Sequence, residues 1–237
     1  MIRPALALIA VVAAAGQSFE AATVKPAAPS ERKGGRSNVT GDRVTHTNQT
    51  LATLLLRAYG MKFREQIAGP SWIFAERYDI AAKMPEGASA DQLSRMMRDL
   101  LIERFQLKLH QEKRELSAYA LLTGKGRLKM QKSGEPTASM RMDNNGRQAR
   151  MDMDGLAGWI AFGVQRPVVD MTGLEGLYEF PLEMSLEEMG GVNAAEGERS
   201  APSIITIVEG LGLKLESRKL PFDVLVVDGG NQVPIGN

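Results

Sequence analysis

The chain has 237 residues, 43% of them hydrophobic and 24% charged, a globular balance long enough for one large core or two small ones. Lys+Arg number 29 against 28 Asp+Glu, so a net charge of +1 gives no field that would draw nucleic acid or an anionic membrane surface. Zero cysteines exclude disulfides, thiol nucleophiles and thiolate metal sites, and 5% aromatic content argues against a stacking surface for bases or sugars.

Residues 1–16 read as a signal peptide: Arg3 supplies the positive start, residues 5–15 the apolar stretch, and Ala13-Ala14-Ala15-Gly16 the small residues of a cleavage site. Eleven apolar residues fall short of the roughly 20 that span a bilayer, so no stable membrane span is expected after cleavage. No Cys follows the apolar stretch, so no lipid anchor is expected there. The mature chain is therefore expected to be exported, periplasmic or extracellular. Residues 17–36 read as an N-terminal strand and loop, with Pro, Gly and charge concentrated in 27–36.

From there the same succession of patterns occurs twice, over 37–132 and over 137–229, followed by a tail at 230–237. In the first copy Gly41-Asp42 marks a tight hairpin between 37–40 and 44–47. Thr50 caps a helix whose apolar stripe is Leu51, Leu54, Leu55, Ala58 and Tyr59, with Gly60 at its left-handed end. Period two then places Tyr78, Ile80, Ala82 and Met84 on one face of a strand. Ser89 opens a capping box before a helix carrying Leu93, Met96, Met97, Leu100 and Leu101. A strand with Leu107 and Leu109 inward follows, then an apolar strand over 119–122.

The second copy repeats this order. Asn145-Gly146 marks the hairpin, and Asp152 caps a helix with Met153, Leu156, Ala157, Ile160 and Ala161 inward. Tyr178, Phe180, Leu182 and Met184 share a strand face. Residues 200–202 open a helix with Ile204, Ile207, Val208 and Leu211, and Gly210 is the expected left-handed residue near its end. Strands over 213–218 and 224–227 close the copy. Residues 185–199 form a Gly/Glu-rich insertion. The expected fold is α+β, a tandem duplication of a β-β-α-β-β-α-β-β unit with helices packed on antiparallel sheet.

Chemistry is sparse. The two histidines, His46 and His110, lack the spacing of a zinc-binding helix, and His110 alternates with Lys108 and Glu112 on an outward strand face. Asp79 and Glu179 occupy matching places and are the candidate carboxylate pair for acid/base hydrolysis, although Asp79 shares its face with Arg77 and Lys83. Asp152 to Gly155 and Asp143 to Gly146 are explained by a cap and a turn better than by calcium. Lys125, Arg127, Lys129 and Lys132 form a solvated basic hairpin tip. No Gly-x-Ser-x-Gly elbow occurs, and Trp72 and Trp159 read as core anchors. No catalytic, cofactor-binding or metal residue is assigned.

The motifs Phe19-Glu20-x-Ala22-x-Val24-Lys25-Pro26, Gly69-Pro70-Ser71-Trp72, Arg77-Tyr78-Asp79, Arg104-Phe105-x-Leu107 and Glu112-x-Arg114-Glu115-Leu116 carry a resemblance. So do Arg166-Pro167-Val168-Val169-Asp170, Thr172-Gly173-Leu174-x-Gly176-x-Tyr178 and Leu211-Gly212-Leu213-Lys214-Leu215-Glu216. Over nearly the whole mature length the chain resembles a functionally uncharacterised family of exported proteins abundant in acidobacteria and other soil bacteria. The resemblance implies export, and a domain fused in related proteins behind antibiotic-sensor-type metallopeptidases; this chain lacks the zinc motif of that part. More weakly, the repeat is similar to the short N-terminal domains of secretins and outer-membrane receptors. The expected function is a non-catalytic binding or sensory module for an unknown envelope protein or ligand, without nucleic acid; the alternative is a cell-envelope hydrolase using acidic residues.

Overall fold

The computed structural model describes residues 18–28, 34–143, 146–181 and 204–236. The expected signal segment, the insertion at 185–199, the helix start at 200–202, and Leu182 and Met184 lie outside those residues. Among the described residues the chain is α+β, with five helices and twelve strands. It divides into two compact units, residues 1–110 with 225–237, and residues 111–224. The repeats at 37–132 and 137–229 follow chain order, whereas the units divide inside two long strands.

In the first unit, β1 (Ala21–Pro26), β2 (Arg36–Thr40), β3 (Arg43–Thr50) and β5 (Arg77–Lys83) form an antiparallel sheet in the order β1-β5-β3-β2. Gly41 takes φ +59° in the two-residue turn that pairs Thr40 with Arg43. Helix α1 (Leu51–Ala58) starts directly from β3, with the Thr50 hydroxyl accepting from Thr53 N. Gly60 follows it at φ +66°, as its position after the stripe predicts. β4 (Ile67–Ala68) and the one-turn α2 (Trp72–Ala75) precede β5, and α3 (Ala90–Phe105) carries the predicted Ser89–Gln92 capping box.

Tyr78, Ile80, Ala82 and Met84 are all buried, so the period-two reading of β5 holds. Leu51, Leu54, Leu55, Ile73, Leu101 and Phe105 pack with Tyr78 and Ile80 in one core. Phe105 meets Tyr78 edge-on at 4.7 Å between ring centres and Trp72 at 6.4 Å. The Tyr78 hydroxyl donates to Gln232 O at 2.7 Å, and burial pushes the phenol up to about 12, keeping it a neutral donor. The tail in turn satisfies α3's last carbonyls: Asn231 N donates to Phe105 O and Ile235 N to Arg104 O, each at 2.7 Å.

In the second unit, β7 (Gln131–Lys132), β8 (Ser139–Asp143), β9 (Gly146–Met151) and β11 (Tyr178–Pro181) pair antiparallel in the order β7-β11-β9-β8. Every strand here sits where its counterpart six strands earlier sits in the first sheet. Gly146 already pairs with Asp143 as the first residue of β9, so it is not a turn residue as the Asn145-Gly146 signal implied. Helix α4 (Met153–Val164) has Asp152 as its cap, Oδ1 accepting from Gly155 N at 2.7 Å. Its inward residues Met153, Leu156, Ala157 and Ile160 pack with Tyr178, Phe180 and, from α5 (Ile204–Gly210), Ile207 and Val208.

Two further local expectations need correction. The strands expected at 107–114 and 119–122 are one strand, β6 (Lys108–Thr123), and those at 213–218 and 224–227 are one strand, β12 (Leu213–Gly229). No turn dipeptide interrupts either, and Pro221 sits at an exposed position that β12 tolerates. The left-handed residue after α5 is Gly212 at φ +83°, not Gly210, while α3 and α4 end on left-handed Gln106 and Gln165. Finally, β4, β10 (Val168–Asp170) and α2 are too short for any period to mark. β4 runs parallel to Leu225–Val226 of β12, and β10 parallel to Tyr119–Leu121 of β6.

Candidate functional site

In the β2–β3 hairpin the turn register sets Ser37 opposite His46. Their side chains meet, Ser37 Oγ lying 2.8 Å from His46 Nδ1. Two residues later β3 bulges: Asn48 takes φ +55°, and the pairing with β5 shifts between His46 and Gln49. The extra residue reverses the alternation, so Gln49 points to the same side as His46 instead of the opposite one. Both are buried, at 5% and 8% exposure, and Gln49 Nε2 donates to Ser37 Oγ at 3.2 Å.

The expected carboxylate Asp79 is part of this scaffold. Its Oδ1 accepts from Asn48 N at 2.9 Å, and Arg77 Nη1 donates to Asn48 O at 2.7 Å, so the pair clamps the bulge from β5. Glu179, its counterpart in the second unit, accepts from Arg150 Nε at 2.7 Å and from Ser133 Oγ at 3.0 Å. Those two bonds hold its carboxyl below the ordinary range, opposite to the raised value a general acid needs. Each carboxylate is engaged within its own unit.

His110 is exposed and pairs with Asp228 at 2.7 Å. Lys125, Arg127, Lys129 and Lys132 are exposed, as read from the sequence. Trp159 is buried in the second unit's core, and its indole N–H has no acceptor among the described residues. Trp72 packs against the first core.

Against the β2–β3 hairpin, between it and helices α1 and α3, lies a half-open cavity of about 270 Å³. From the strands it is lined by Ser37, Asn38, Val39, Val44 and His46. From the helices it is lined by Leu54, Arg57 and Ala58 of α1 and by Leu93, Ser94 and Met97 of α3. An apolar wall with a few convergent polar groups is the usual make-up of a small-molecule site. Sequence reasoning weighed His46 only as a lone histidine. The signal that finds it is the two-residue turn, which fixes Ser37 against His46 by counting outward from Thr40 and Arg43.

Burial, and then the Arg57 guanidinium, hold His46 below the ordinary imidazole value of 6.5. The unfolded chain therefore takes up this proton first as pH falls below 6.5. Stability from this group is complete above that value and declines as pH falls toward the folded-state value. Urea midpoints measured from about pH 7.5 down to about 5 should fall with pH, and His46→Gln should flatten the slope. An equally steep slope in the variant would assign it to other groups.

Among the described residues no helix is long and apolar enough to cross a membrane. No curated protein and no solved structure matches the chain. A family profile described as a protein of unknown function, DUF3738, matches residues 52–229 and spans both units. The chain belongs to the DUF3738 family, and its match takes in α1 and α3 of the cavity wall while starting just after the hairpin that carries His46.

Proposed function

We propose that this chain is an exported, non-catalytic binding or sensory module, and that the cavity of the first unit receives its ligand. The observation that carries the reading is the cavity itself: a preformed apolar space into which a buried histidine, two serines and an arginine converge. The carboxylates that a hydrolase would use support it from the other side, since Asp79 holds a bulge and Glu179 an ion pair. Export is supported by the order of charge, apolar stretch and small residues in 1–16. We also infer that the two halves descend from one duplicated unit, now closing in one long strand per copy in place of the final β-β pair, supported by the matching sheet orders β1-β5-β3-β2 and β7-β11-β9-β8.

The test is occupancy. Ser94 is half-buried on α3 and lines the cavity, so Ser94→Phe fills the space without disturbing a fully buried position. Small molecules that shift the methyl resonances of Val44, Leu54 and Met97 in the native chain should leave the variant's spectrum unmoved.

A further inference from the structure

We propose that the cavity's guest is a small organic monocarboxylate with a short apolar body, its oxygens held by the Arg57 guanidinium and the His46 ring; this rests on reading the cavity as the ligand site. Arg57 is the one permanent charge among the lining residues. Its place in the last turn of α1 would ordinarily be explained as a cap for the helix end. Here the helix end is already satisfied without it. Tyr59 N donates to Leu55 O, Met61 N to Leu56 O, Gly60 N to Arg57 O, and Arg98 Nε to Ala58 O at 2.6 Å. Among the described residues the Arg57 guanidinium has no carboxylate or hydrogen-bond partner, leaving its fork of donors for a guest.

The second donor follows from the Gln49–Ser37–His46 relay. Gln49 Nε2 donates to Ser37 Oγ, which keeps its own proton and has His46 Nδ1 as an acceptor 2.8 Å away. In the tautomer that uses this bond the ring proton of neutral His46 is on Nε2, a donor with no acceptor among the described residues. A cation and a neutral donor match one negative charge spread over two oxygens. A phosphate dianion would bring a second charge to an apolar wall that offers nothing to neutralise it. Apart from Ser37, Asn38 and Ser94 the remaining lining is apolar, which suits a guest body with few hydroxyls. The volume lies just below the roughly 300–1,000 Å³ of drug-sized sites. The guest's apolar body is accordingly short.

The experiment titrates the full mature chain with hexanoate and benzoate, and in parallel with benzamide, hexan-1-ol and hexylammonium. The readout is the His46 imidazole resonance, with exposed His110, the other histidine, as internal control. Carboxylates should shift His46 saturably and leave His110 in place, and the neutral and cationic probes should bind at least about tenfold more weakly. Arg57→Gln, at an exposed position, should weaken the carboxylates about tenfold and leave the neutral probes unchanged. Equal binding by benzamide, the alcohol or the amine, or no effect of Arg57→Gln, would overturn the anion assignment while leaving the cavity as the ligand site. Failure of every probe to move His46 would overturn both.

Discussion

Replacing Phe105 with alanine is expected to lower the unfolding free energy by about 3–5 kcal/mol, seen as a lower urea midpoint. Phe105 is fully buried at the last residue of α3, and its ring is the meeting point of Tyr78 from β5 and Trp72 from α2. Truncation removes the transfer free energy of the ring and leaves a space that these aromatic neighbours cannot both collapse into. It also loosens the residue whose carbonyl receives Asn231, so the tail should lose protection from proteolysis. Phe105→Leu keeps most of the volume and should recover a large part of the loss. Because Trp72 packs directly on Phe105, its fluorescence reports the change in the first unit. A loss below about 1 kcal/mol would mean that α3 is not seated on this core.

Gly212→Ala should be nearly as damaging, at about 2–5 kcal/mol. Gly212 has φ +83°, a left-handed conformation that costs a side-chain-bearing residue about 1–2 kcal/mol by itself. An added Cβ would also lie 2.6 Å from Arg127 O and 3.0 Å from Leu128 Cα. Those are backbone atoms, which cannot rotate away as a side chain can. Gly210 is the control, two residues earlier at the end of α5, where an added methyl group would meet nothing within 4 Å and φ is not positive. Gly210→Ala should be neutral or stabilise by up to about 1 kcal/mol through helix propensity. Equal losses in the two variants would remove Gly212 from its role as the turn between α5 and β12.

That pair also shows where local reading stops. Thr50, Ser89 and Asp152 were legible as caps because a cap is decided within four residues, and all three bond as their spacing requires. The buried face of β5 was legible because period two needs only the strand itself. Gly210 and Gly212 are equally plausible terminators in one dimension. What selects Gly212 is the approach of the Arg127 backbone, more than eighty residues earlier in the chain. Left-handed Gln106 and Gln165 are similar, since glutamine gives no sign of a positive φ. The bulge at Asn48 was hidden because its cause, Asp79, lies on another strand. The cavity inherits that difficulty: Ser37 against His46 could be counted from the turn, but Gln49 joins them only through the bulge, and Arg57 and Ser94 only through helix packing.

The decisive comparison sets the native chain beside Ser94→Phe against one library of small acids, amides, alcohols and amines, followed by the methyl resonances of Val44, Leu54 and Met97. If the cavity is the ligand site, guests will move these signals saturably in the native chain and leave them still in a variant of unchanged urea midpoint. Guests that bind both proteins alike, or that perturb only residues elsewhere, would contradict it.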